Sequence, residues 1–191
     1  TATPVVTPTP EVTTTATPVP TPTSSTSSSY ITIDFDKTEA EVGDTVKATV
    51  RINKISKISG YQINLKYDPN VLQPIKPSGA SYTNSTIPSS GTIITNDNFA
   101  PINAVSHKLS EGILNFCKLY MKLEEYRLSE EYEDTGTIAV IEFKLLKDDQ
   151  TAITFENTYL MPNAINGTMI FDADGNRITS GYSVVQPEKI N

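Results

Sequence analysis

An all-β fold, an antiparallel sandwich or jelly roll, is what this sequence predicts, on three observations. Nine or ten short segments alternate or run apolar with the two-residue period of strands, and they are rich in Val, Ile, Thr, Tyr and Phe. Turn chemistry separates them at Val42-Gly43-Asp44, Tyr67-Asp68-Pro69-Asn70, Ser89-Ser90-Gly91 and Asp174-Gly175. Only one stretch, residues 122–134, has the spacing of a helix.

The elements follow in order. Residues 1–29 hold 11 Thr, 6 Pro and 5 Ser, with Glu11 the single charge and no aromatic residue. Nothing there has a period that buries a face. Proline fixes φ and removes donors, so an extended, partly polyproline-like tether is expected. Composition changes at Tyr30, and residues 30–189 are read as one folded module. YITIDFD (30–36) alternates, and TVKATVRIN (45–53), GYQINLKY (60–67), VLQPI (71–75), TIITND (92–97) and PINAV (101–105) follow as strands. GILNFCKLYM (112–121) is the next, and KLEEYRLSEEYED (122–134) then reads as a short helix. Leu123, Tyr126, Leu128 and Tyr132 fall close to i, i+3, i+4 spacing, and Gly136 ends the segment. GTIAVIEFKLL (136–146), AITFENTYL (152–160), GTMIF (167–171) and NRITSGYSVV (176–185) complete the strands.

Bulk numbers exclude several functions. A net charge of −7, of which the module carries all but Glu11, argues against nucleic acid and anionic membrane surfaces. No apolar run is long enough to span a bilayer. The first residue is Thr rather than Met, so the chain is expected to be a mature product or a piece of something longer. One cysteine, Cys117, rules out an internal disulfide and a cysteine-built zinc site. One histidine, His107, leaves little for multi-histidine metal sites or Ser-His-Asp chemistry, and its setting in SHKLSEG suggests a surface residue.

Catalysis finds little else. Glu124, Glu125, Glu130, Glu131, Glu133 and Asp134 invite comparison with a glycosidase acid pair, but they read better as a solvated helix face. FDADGN (171–176) starts like a calcium loop, yet Gly175 stands fourth rather than sixth and position twelve is Ser183, so a turn is expected. Asn84-Ser85-Thr86 and Asn166-Gly167-Thr168 are glycosylation-type triplets.

Segment 112–121 is the most informative. It is apolar on both alternating sets, where a half-exposed strand should carry polar residues on its outer face. With Leu114, Phe116 and Tyr120 inward, Asn115, Cys117, Leu119 and Met121 face out. In GYQINLKY, Tyr61, Ile63, Leu65 and Tyr67 point inward and Gln62 and Asn64 outward. Together these residues make a patch apolar at its centre with hydrogen-bonding groups beside it, the composition of a protein–protein interface. Lys118 falls on the core side, which requires a rim position, an amine extended to water, or a bulge.

The sequence resembles the cohesin modules of cellulosomal scaffoldins, the type II group in particular. EVGDTVKATVRINKI (41–55), SGYQINLKYDPNVLQPI (59–75), EGILNFCKLYM (111–121), GTIAVIEFKLL (136–146) and MPNAINGTMIFDADGNRITSGYSVVQP (161–187) carry the resemblance. It implies a nine-stranded jelly roll with one short helix between strands six and seven, and strand interruptions called flaps, one of them formed by Pro162 to Gly167. It implies a non-catalytic module that binds a dockerin, a calcium-loaded pair of helices, alone or with an adjoining module, on the face of strands eight, three, six and five. The residues implied are Gln62, Asn64, Val105, Asn115, Cys117, Leu119, Met121, Ile165 and Asn166. No cofactor is implied here, because calcium belongs to the partner. The chain is expected to be monomeric, at a bacterial cell surface or in a secreted cellulosome. Lys118, the acidic 122–134 segment and the bulk of Cys117 and Leu119 depart from the family pattern. The alternative is a carbohydrate-binding module on the same architecture, with Tyr82, Tyr120 and Tyr159 as platforms in a chain without Trp. A glycosidase built on the 122–134 acids ranks last.

Overall fold

The structure, a computed structural model, describes residues 28–191. The tether expected over 1–29 lies outside the described residues, except for Ser28 and Ser29.

Two sheets pack face to face. The first holds β1 (Tyr30–Phe35), β2 (Thr45–Asn53), β4 (Leu72–Ile75), β5 (Ser89–Ser90), β8 (Gly136–Leu145) and β12 (Ser183–Val185). Its order is β12-β1-β2-β8-β4, and β5 also pairs with β8. The second holds β3 (Ile58–Lys66), β6 (Pro101–Val105), β7 (Ile113–Tyr120), β9 (Thr154–Phe155), β10 (Thr168–Asp172) and β11 (Arg177–Ile178), in the order β11-β10-β3-β7-β6 with β9 on β3. All pairs are antiparallel except β1 with β12, which run parallel from Tyr30↔Ser183 to Thr32↔Val185. Three of the twelve strands have only two residues, so nine longer ones remain, the number the resemblance implied.

The core lies between the layers. Alternation in β2 buries Val46, Ala48, Val50 and Ile52, and β8 adds Ile138, Ile141, Phe143 and Leu145. From the other sheet come Tyr61, Ile63, Leu65, Leu114, Phe116 and Tyr120. The Tyr61 hydroxyl donates to the Ile138 carbonyl at 3.2 Å, tying one layer to the other through otherwise apolar packing. Leaving that buried donor unpaired would cost about 1–3 kcal/mol.

Some elements differ from the sequence reading. TIITND is not a strand: only Gly91 and Thr92 continue the β5 ladder, donating to Ile138 and Thr137, before Ile94 turns the chain at φ +55°. AITFENTYL keeps only β9, and NRITSGYSVV breaks into β11 and β12 on either side of Gly181. The helix α1 spans Leu123–Leu128 and stops halfway through the expected segment. Tertiary bonds capture its second half. The carbonyls of Glu133 and Asp134 accept from Ile58 and Ile55, and the Glu133 carboxylate accepts from the Tyr120 hydroxyl at 3.0 Å and the Ile94 amide at 2.9 Å. Glu133 is therefore a latch between segments rather than part of a solvated helix face. Tyr126 anchors α1, packed 4.8 Å from Tyr120 and 5.2 Å from Phe99 between ring centroids, while Leu128 and Tyr132 stay exposed.

Lys118 needs no bulge, because the β3–β7 register is unbroken. It is buried at the rim with its ammonium 3.5 Å from Ser90 Oγ, and burial lowers its pKa against the opposing pull of Glu133 and Asp97. The folded body continues past residue 189. Ile190 is fully buried and exchanges two backbone hydrogen bonds with Thr151, and the Asn191 amide donates to Thr38.

Candidate functional site

Cross-strand register places side chains on the outer face of the second sheet in rows. One row runs Phe171, Gly60, Leu119, Ile102 across β10, β3, β7 and β6. The next runs Met169, Gln62, Cys117, Ala104. Phe171, Met169, Leu119 and Cys117 are half-buried, Ile102 and Ala104 are exposed, and Met121 extends the surface beyond the end of β7 at 57% exposure. A third row pairs Asn64 with Asn115, and both are buried.

Three conditions produce this surface. The flat antiparallel pairing presents every second side chain of four neighbouring strands on one side. Gly60 keeps one position empty: a Cβ there would stand 2.9 Å from Leu119 Cβ, so Leu119 seats against bare backbone. Burial pushes the Cys117 thiol pKa up, so it stays protonated and behaves as a small apolar group. The result is an apolar strip that no other part of the described chain covers.

The polar row is covered by the segment 156–167. Asn64 donates through Nδ2 to the Glu156 carbonyl at 2.7 Å, and its backbone N–H donates to Gly167 O at 2.8 Å. Asn115 Nδ2 donates to Asn64 Oδ1 at 3.3 Å and to Met161 Sδ at 3.0 Å, while Gln62 Nε2 donates to Asn115 Oδ1 at 3.0 Å. Asn157 braces the covering segment from within, donating to Ala164 O and accepting from Gly167 N.

The sequence-predicted residues therefore divide. Gln62, Cys117, Leu119 and Met121 come together on the open face. Asn64 and Asn115 share its register but lie beneath the covering segment, where Asn64 bonds the Glu156 carbonyl and Asn115 the Met161 sulfur. Val105 points the other way, packed against the core, one residue out of step with the exposed Ile102 and Ala104. A one-residue slip moves a whole strand set to the other face, and the turn before β6 does not disclose the register. Ile165 is half-buried and Asn166 exposed, both in the covering segment. Sequence reasoning missed Gly60, Ile102, Ala104, Met169 and Phe171. The alternation in PINAV and GTMIF carried that signal once paired to β3 and β7.

Other candidate chemistry separates in space. His107 is buried, contrary to the surface position expected. Its Nε2 faces the Thr86 carbonyl at 2.7 Å and Nδ1 accepts from the Asn115 amide at 3.1 Å. Tyr82 and Tyr120 are buried in the core, which leaves Tyr159 alone of the three proposed sugar platforms exposed. FDADGN is a turn between β10 and β11, with Asp172 Oδ1 accepting from the amides of Asp174 and Asn176. Among the described residues no group of three or more His, Cys, Asp or Glu is placed to hold a metal ion, and no helix is long and apolar enough to cross a membrane.

The family model for the cohesin domain matches residues 31–173. The chain is 44% identical over 161 residues to Cell surface glycoprotein 1 of Acetivibrio thermocellus, a match that covers 84% of this chain and 7% of that protein. Among solved structures, it resembles the type II cohesin in a cohesin–X-dockerin complex from Acetivibrio cellulolyticus, with a TM-score of 0.83 and 55% identity over 85% of this chain and 98% of that one. It likewise resembles the second type II cohesin module of the adaptor ScaA scaffoldin from the same organism, with a TM-score of 0.84 and 52% identity over 87% and 98% of the two chains.

Proposed function

The chain belongs to the cohesin family, and from that premise we propose that it is a non-catalytic docking module that binds a type II dockerin on the outer face of β10, β3, β7 and β6. Through that contact it attaches cellulosome components to a scaffold at the bacterial surface. The observation that supports this most is the pair of open rows, Phe171-Gly60-Leu119-Ile102 and Met169-Gln62-Cys117-Ala104. Apolar side chains held on a paired sheet are already ordered, so binding costs little conformational entropy on this side. A helix face laid across them buries the strip. Calcium is carried by the dockerin, whose helices it organises.

Leu119→Asp tests the face. It places a charge in the desolvated centre of the contact and is expected to weaken dockerin binding by several kcal/mol, about 2–5. Calorimetry reads the affinity and circular dichroism checks the fold. EDTA is expected to abolish binding while leaving the melting temperature of this chain alone unchanged. Undiminished affinity in Leu119→Asp would remove the proposed face.

A further inference from the structure

The amides of Gln62, Asn115 and Asn64 form a chain of hydrogen bonds with a fixed direction. It ends on the Glu156 backbone carbonyl, which can only accept. Asn64 must therefore turn its Nδ2 toward residue 156 and its Oδ1 toward Asn115. Asn115 then has both N–H groups committed, to Asn64 Oδ1 and Met161 Sδ, and presents Oδ1 to Gln62. Gln62 meets that oxygen with Nε2. Reversing any one amide would set carbonyl against carbonyl within a covered row, where unsatisfied polar groups are costly.

We propose that this one-way amide relay fixes the polarity of Gln62, so that the face offers its Oε1 as a hydrogen-bond acceptor amid the apolar rows and selects a partner carrying a donor at the matching place. Nε2 is held toward Asn115 Oδ1, which leaves Oε1 turned away from that oxygen. No group among the described residues bonds Oε1. The partner chemistry that fits is a hydroxyl or amide N–H projecting from an otherwise apolar helix face. Asn115 and Asn64 are positioning residues, acting through Gln62. This inference rests on the docking reading of the same face.

The test uses an X-dockerin of Acetivibrio cellulolyticus ScaA, a partner of the kind crystallised with the 55% identical relative. Gln62→Met keeps the bulk of a half-buried side chain and removes the acceptor. It is expected to weaken binding on the order of ten-fold, because the partner's donor loses its mate. Asn115→Leu is expected to weaken binding in the parent chain but to add nothing in the Gln62→Met background. A purely structural role for Asn115 would cost the same in both. A second readout needs no change at a buried site: on complex formation the Gln62 side-chain carbonyl carbon should shift downfield in NMR spectra, while its Nε2 protons keep their position. Gln62→Met binding as tightly as the parent, equal costs of Asn115→Leu in both backgrounds, or an unmoved carbonyl carbon would overturn the relay. If Leu119→Asp abolishes binding and Gln62→Met does not change it, docking stands and the relay alone falls. Failure of the parent chain to bind removes the docking reading and the relay's role with it.

Discussion

His107 is the one imidazole in the chain, and its surroundings choose its protonation state. With Nε2 facing the Thr86 carbonyl and Nδ1 accepting from the Asn115 amide, the neutral Nε2-protonated form satisfies both partners. Burial holds its pKa below the ordinary histidine value of 6.5. The unfolded chain takes up a proton as pH falls through about 6.5 that the folded chain refuses. Stability present above that pH is therefore lost as pH falls toward the lower folded value, with a slope of up to about 1.4 kcal/mol per pH unit. Urea titrations at pH 7.5 and pH 5.5 should show the drop, and His107→Gln should flatten it. None of this was legible in SHKLSEG, whose polar neighbours suggested a wet loop. Asn64 and Asn115 misled in the same way: polar residues at outward strand positions read as exposed, and only contacts some 40 to 90 positions away reveal that they are covered.

At the scale of elements, the segment 156–167 holds its shape without helix or strand. Its closure rests on Gly167, which sits at φ +75° with its Cα hydrogen facing the Glu156 and Asn64 backbones. A Cβ there would stand 2.5 Å from Glu156 N and 2.7 Å from Asn64 O. Gly167→Ala combines a disfavoured backbone angle with a backbone clash, and a loss of about 2 kcal/mol or more is expected in chemical denaturation. Hydrogen exchange should quicken first at the Asn64 amide, which donates to Gly167 O. Strands with clean alternation, such as GYQINLKY and TVKATVRIN, were legible because a two-residue period and a buried face leave one solution. TIITND and the tail of the 122–134 helix were not. Their propensities are sound, but Glu133 bonds to Tyr120 and Ile94, and this tertiary pairing outweighs local preference. The apolar strip was legible on β7 alone; its extension over β10 and β6 required their registers.

For the whole molecule, the sandwich architecture followed from counting alternating segments, while the seam that closes the first sheet did not. The last strand returns beside the first and runs in the same direction, a pairing that no local pattern in YITIDFD or YSVV announces. It also sets the two ends of the folded body apart. Ser29 enters beside Lys54 and Ser183, and Asn191 leaves beside Thr38, beyond the far end of β1. When tension is transmitted through the chain, β1 is drawn backward and β12 forward, so their bonds are loaded together in shear. Stretching the module end to end should therefore demand a higher rupture force in single-molecule pulling than drawing Ser29 against residue 53, which peels β1 from β2 one pair at a time. A module so threaded can carry mechanical load between whatever is anchored on either side.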